Sequence, residues 1–148
     1  MGFRSFWAGI FFLVGVLACG TSGNEKQNSL THISDTKTMK YAIEGKILYE
    51  QYCANCHQKD GEGLGKLIPP LAQADYMLED VGRTVRIIKY GMKGEIKVNG
   101  TMYNQAMPPN PQLTNLEIAE ITTYLYNIWG EKRGLVSTEE VANYLNEN

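Results

Sequence analysis

From Gln58 to Ala74, and again from Gly91 to Pro109, the chain carries glycine and proline at spacings that neither a helix nor a strand accepts. Gly61, Gly63, Gly65, Pro69 and Pro70 break the first stretch; the second is glycine-spaced from Gly91 to Gln105 and ends in Ala106-Met107-Pro108-Pro109. Irregular stretches of that length inside a domain of ordinary size count against a compact fold. They become admissible when a large apolar body occupies the middle and the loops close over it. The 148 residues leave room for one such domain and a targeting segment, and 43% hydrophobic with 20% charged residues describe a globular chain, not a disordered or multispan membrane one.

Just before the first loop stands Cys53-Ala54-Asn55-Cys56-His57. Cys-x-x-Cys-His is the attachment signature of a covalent c-type haem. Two thiols one helical turn apart can each add to a porphyrin vinyl group, and the next residue then offers its imidazole to the iron. Other uses of the motif stay open at this level. Structural zinc wants four ligands, and only Cys19 and His32 could supplement these three. A thioredoxin-like dithiol wants a βαβ setting and gives His57 no task; a plain disulfide or a chance match completes the alternatives. One covalent haem would also supply the apolar body that the loops require.

What fills the iron's sixth position separates electron transfer from ligand chemistry. The candidates are Met77, Met92, Met102, Met107 and His32. Met107 is the choice, because it lies in a loop directly before Pro108-Pro109, whose stiff backbone can hold a thioether in place, and leads into the last long helix. Met77 reads as packing on the haem face from a short helix, Met92 and Met102 as loop fillers or surface residues, and His32 as an exposed tether residue.

Around the loops the pattern is helical. Tyr41, Ile43, Ile47, Leu48 and Tyr52 predict a first helix from Tyr41, and Asp75 to Leu78 and Val81 to Tyr90 predict two short ones. Thr114-Asn115-Leu116-Glu117 is a capping box opening the longest helix, for which Gly130 offers a left-handed stop. Ser137-Thr138-Glu139-Glu140 offers a second box before a short terminal helix. No alternating strand pattern and no repeat stands out, so the folded part is expected to be mostly α.

At the N-terminus, Arg4 precedes an apolar run from Phe6 to Ala18 that is short for a membrane span. Val16-Leu17-Ala18-Cys19 resembles the lipobox of bacterial lipoproteins. This predicts a signal peptide over 1–18, lipidation at Cys19, and a polar tether over 19–40 with a reach of roughly 25 Å. An uncleaved anchor and a coincidental cysteine are the competing readings, and all three place the rest of the chain outside the cytoplasm. The formal charge of -2 argues against nucleic acid as a partner. Arg83, Arg86, Lys89, Lys93 and Lys97 form a basic stripe that either steers an acidic partner or is a solvated helix face.

From Tyr41 to Gly130 the chain resembles a class I cytochrome c of the small bacterial mono-haem group. The resemblance rests on Gly45 and Tyr49, the Cys53 to His57 motif, the loop from Gly61 to Leu71 ending in Pro69-Pro70-Leu71-Ala72, Ile96 to Gly100 with Tyr103, Met107-Pro108-Pro109, and Glu117 to Trp129. It implies the class I cytochrome c fold over 41–130, with Gly45 and Tyr49 meeting Tyr124 where the first and last helices cross. It also implies a proline carbonyl, from Pro69 or Pro70 with Pro70 preferred, accepting the proton of the His57 ring. Residues 131–148 extend beyond the usual family end, with a short helix. The function expected is one-electron transfer in a respiratory chain with His57 and Met107 as axial ligands, on the periplasmic or outer side of the cell envelope. The partners expected are a redox donor and acceptor and the membrane, with neither nucleic acid nor a small-molecule substrate, so the chain is not itself an enzyme. Two alternatives accompany this: a haem subunit of a larger dehydrogenase or oxidase, and a haem enzyme or gas sensor with an open sixth site.

Overall fold

The structure, a computed structural model, describes residues 1–2 and 30–147. Residues 3–18 of the proposed signal segment, and Cys19, lie outside the described residues. After a single 3-10 turn, Leu30–His32, the elements run α1 (Thr36–Tyr52), α2 (Ala54–His57), α3 (Asp75–Glu79), α4 (Val81–Tyr90), β1 (Ile96–Val98), β2 (Thr101–Tyr103), α5 (Asn115–Ile128) and α6 (Thr138–Asn146). The fold is mostly α, as expected.

Helix α1 starts earlier than Tyr41. Asp35 caps it, accepting from the Thr38 N–H at 2.7 Å and the Thr38 hydroxyl at 2.6 Å. The last residues assigned to the tether, Thr36 to Lys40, are therefore its first turn, hidden from a reading by periodicity because they are almost all polar. Thr114 caps α5 with the full reciprocal box: its hydroxyl accepts from the Glu117 N–H, and the Glu117 carboxylate accepts from the Thr114 N–H at 2.7 Å. At Ser137 only half the box forms, since the Ser137 hydroxyl accepts from the Glu140 N–H while the Glu140 carboxylate takes Arg133 and the Tyr144 hydroxyl instead. Nor is Gly130 a left-handed stop: α5 closes on Trp129, and the positive φ comes later, at Lys132 and Gly134.

Helix α5 is buried from Ile118 to Trp129 at every position but Glu120, because α1 covers one face and α4 and α6 cover others. Where α1 crosses α5, a Cβ on Gly45 would lie 2.0 Å from the Glu120 carbonyl oxygen and 2.9 Å from Tyr124 Cβ. Only glycine permits that approach. Tyr49, Tyr124 and Trp129 fill the space beside it as a ring triad with centroids 5.2–5.6 Å apart.

The extension past residue 130 is part of this core. Asn127 brackets the backbone of Gly134, donating to its carbonyl at 2.8 Å and accepting from its N–H at 3.1 Å. Thr123 likewise joins Val136. Val136 and Val141 are fully buried, and the Tyr144 ring packs on Gly82 of α4.

One element lies outside the helices read from the sequence. β1 and β2 form a two-stranded antiparallel hairpin, with Ile96 opposite Tyr103 and Val98 opposite Thr101. Its turn, Asn99-Gly100, has both φ values positive, 47° and 81°, as a tight two-residue hairpin requires. The strands are too short for alternation to register, and the Asn-Gly pair was the signal available. Asp75 and Asn99 exchange hydrogen bonds through each other's backbone N–H, at 2.7 and 3.0 Å, tying the hairpin to the start of α3.

Candidate haem-binding site

Helix α1 ends where the motif begins: the Cys53 N–H donates to the Tyr49 carbonyl at 2.9 Å, and the single turn α2 closes with His57 N–H on the Cys53 carbonyl at 3.0 Å. That turn sets Cys53 and Cys56 one helical turn apart as free thiols, the first half-buried and the second exposed. It leaves His57 buried at its end. Gln58 then turns out of the helix at φ 62°, and its carbonyl accepts a 2.6 Å hydrogen bond from the buried Tyr49 hydroxyl. The aromatic triad of the helix crossing thus fixes the exit from the motif.

The loop that follows folds back on backbone bonds. Gly63 N–H donates to the His57 carbonyl at 3.0 Å, and Leu71 and Ala72 N–H both donate to the Gly61 carbonyl, at 2.7 and 3.1 Å. At Gly63, where φ is 69°, a Cβ would meet the Ile68 carbonyl oxygen at 2.4 Å and the Pro69 carbonyl oxygen at 2.6 Å. This close approach turns the Pro69 carbonyl inward, where it lies 3.1 Å from His57 Nδ1. The ring's partner is therefore Pro69 and not Pro70, whose ring lines the cavity beside it.

Burial, the larger effect, lowers the His57 pKa, and the Pro69 bond opposes it. The imidazole is thus neutral at ordinary pH. With Nδ1–H donating to Pro69, Nε2 carries the lone pair a metal needs. Cys53 behaves oppositely to a redox-active thiol: burial first, and Cys56 second, push it up to about 12, whereas a reactive dithiol needs a lowered value. Among the described residues, no group of three or more His, Cys, Asp or Glu side chains could hold a metal ion.

Cys53, His57, Pro69, Pro70 and Met107 share one cavity of about 660 Å³, its open mouth included. Its walls are almost wholly apolar, supplied by Met77, Ile88, Val98 and Leu125 among others. Cys56 lies at an adjoining opening together with His57 and Met107. The attachment cysteines, a neutral imidazole, a thioether and apolar walls form a donor set and a shape that fit one covalent haem.

Met107 is held by backbone, not by its neighbours' side chains: its N–H and carbonyl both pair with Met92, each at 2.9 Å. Met92, expected as a loop filler or surface residue, lines the same cavity. Met77 is buried on the cavity wall and Met102 is exposed on the hairpin. His32 is exposed in the first turn. The basic stripe is largely engaged within the chain: Arg83 pairs with Glu79 and stacks on Tyr76, Arg86 faces Asp80 and Glu147, and Lys89 donates to the carbonyls of Pro111 and Leu113. Lys93 and Lys97 are exposed.

Comparison with known proteins agrees with this geometry. The family model for cytochrome c matches residues 42–129. A cytochrome c-552 of Thermus thermophilus is 35% identical over 94 residues, covering 61% of this chain and 71% of its own length. A second Thermus thermophilus sequence of that name is also 35% identical, with 63% of its length covered. The cytochrome c subunit of a quinone alcohol dehydrogenase from Gluconacetobacter polyoxogenes is 30% identical over 104 residues, which are 68% of this chain and 22% of that subunit.

Proposed function

Since the chain belongs to the cytochrome c family, carrying one covalent haem c on the Cys53-Ala54-Asn55-Cys56-His57 motif, we propose that it is a one-electron carrier with His57 and Met107 as axial ligands. The haem supplies an iron that takes up and releases a single electron. The rest is the work of the chain. Pro69 fixes the His57 tautomer and orientation, and its hydrogen bond makes the ring a stronger donor. The Met92–Met107 backbone pair and Pro108-Pro109 hold the second ligand against the same cavity. Apolar walls keep water out, and a neutral thioether with burial favours the reduced state. Were His57 and Met107 to hold the haem in both redox states, little of the chain would need to move on electron transfer. The protein moves electrons and is not itself catalytic.

The observation that supports this reading best is the single cavity shared by a neutral, proline-oriented His57 and the backbone-clamped Met107. The test is voltammetry of the holoprotein. One reversible one-electron wave, unchanged by added peroxide, is the expected result; a catalytic current with peroxide would turn the assignment toward an enzyme.

The carrier is proposed to serve a respiratory chain from a lipid tether at Cys19, outside the cytoplasm. Among the described residues no helix is long and apolar enough to cross a membrane. Release of a Cys19→Ser chain into the soluble envelope fraction is expected; an unchanged membrane fraction would sink the tether. The similarity to a dehydrogenase cytochrome subunit supports a second reading, a fixed redox subunit. Stable co-purification with one redox partner would favour it over a free shuttle.

A further inference from the structure

We propose that Met92 is a second thioether ligand for the haem iron, one that takes the sixth position when Met107 is lost and is otherwise held back by Tyr76. The inference rests on the reading of Met107 as the ligand and goes beyond it.

Met92 and Met107 form an isolated antiparallel bridge in which each N–H donates to the other's carbonyl at 2.9 Å. In such a directly opposed, hydrogen-bonded pair the Cα atoms stand about 5.5 Å apart and both side chains leave on the same side. Both are half-buried, and both line the haem cavity and its opening beside Cys56.

The backbone around the pair is over-determined. Gly91, at φ 73°, lies so close to Met107 and Pro109 that a Cβ would meet the Met107 carbonyl oxygen at 2.6 Å and the Pro109 nitrogen at 2.7 Å. Asn110 donates to the Ile88 carbonyl at 3.2 Å, tying the end of α4 to the same loop. Exchanging one thioether for the other therefore asks nothing of the backbone. Methionine's unbranched chain turns about three bonds, and a thioether is the soft donor this iron takes.

What distinguishes the two sulfurs is Tyr76. Its hydroxyl donates to Met92 Sδ at 3.8 Å, and the Arg83 guanidinium stacked 3.9 Å from its ring centroid holds the ring. That contact engages a lone pair of Met92 and leaves Met107 as the resident ligand. Were Met92 only a filler of space, no hydroxyl would need to meet its sulfur.

The test compares holoproteins at equal haem content and equal helical signal: the parent, Met92→Leu, Met107→Ala, and Met107→Ala with Met92→Leu. The readouts are the weak sulfur-to-iron band of the ferric spectrum and carbon monoxide binding to the ferrous form. Met92→Leu, which leaves the Met107 thioether in place, should keep the band. Met107→Ala should keep the band and bind the gas at least tenfold more weakly than the double variant, which should lose the band. Met107→Ala indistinguishable from the double variant overturns the proposal, and so does loss of the band in Met92→Leu alone. A parent protein without the band would instead overturn the Met107 reading itself, so the two failures are distinct. Tyr76→Phe leaves both thioethers in place and serves where alanine at 107 fails to fold. Two upfield-shifted methionine methyl signals are then expected in the ferrous NMR spectrum, and a single unchanged signal overturns the proposal.

Discussion

Where α1 crosses α5, Gly45 brings two backbones together and Tyr49, Tyr124 and Trp129 close ring on ring; between Gln58 and Pro109 much of the chain is held by backbone bonds around a cavity of about 660 Å³. The first region packs against itself, and the C-terminal segment reinforces it through Asn127, Thr123 and Val136. The second is shaped for something it does not supply. Glycine and proline have opposite uses in the two regions. At Gly45 glycine allows a tighter self-contact, whereas Gly63, Pro69 and Pro108 fix a loop that faces a cofactor. The difference places the stability of the loop region in the haem and that of the crossing in side chains.

The sharpest way to separate the two regions is to deny one of them its filling. Replacing Cys53 and Cys56 together by serine should abolish covalent haem and leave the cavity without its core. That removes most of the about 5–15 kcal/mol a domain of this kind has. Circular dichroism should show loss of most helical signal and of cooperative unfolding; a variant that melts as sharply as the holoprotein would erase the contrast between the regions.

The converse change strikes the crossing and spares the pocket. Gly45→Val forces a Cβ toward the Glu120 carbonyl, 2.0 Å away, where backbone and not a mobile side chain must yield. A loss of about 3 kcal/mol is expected, seen as a lower melting temperature with the native visible spectrum unchanged. A spectrum altered below the transition would mean that the two regions are not separable.

A smaller effect refines the helical side. In α5, the Thr114 N–H and hydroxyl donate to Glu117 and hold its carboxyl below the usual glutamate range. A lowered folded value means stability that is present above the unfolded pKa and lost as pH falls through the folded one. Thr114→Ala should cost about 1 kcal/mol at neutral pH. Its deficit should shrink on acidification below the ordinary glutamate range. Denaturant titrations at several pH values would show this, and a deficit independent of pH would assign the loss to the hydroxyl's bond from the Glu117 N–H rather than to its bond to the carboxylate.

The same contrast explains what could be read in the sequence. Helices are local, so the spacing of Val81, Val85 and Ile88 and the Thr114 box predict α4 and the start of α5 where they occur. The motif predicts one covalent haem because its spacing is itself the chemistry. The start of α1 was missed because Asp35 caps a polar turn, and the hairpin because its strands have three residues each. Pro69 over Pro70 and the pairing of Met92 with Met107 were not legible, since each depends on which carbonyl or strand a loop turns inward. Loop geometry around a cofactor is set by long-range closure, not by local propensity. Gly130 shows the reverse error: a stop glycine was expected, but the helix closes on Trp129 and the positive φ falls at Lys132 and Gly134.

The most direct measurement is the optical spectrum of the purified ferrous protein with and without carbon monoxide. A spectrum unchanged by the gas is the predicted result, because the proposed ligation by both His57 and Met107, which line the same cavity, would leave the iron no free position. Ready formation of a carbon monoxide complex by the parent protein would contradict the account and place an open or labile sixth site in that cavity.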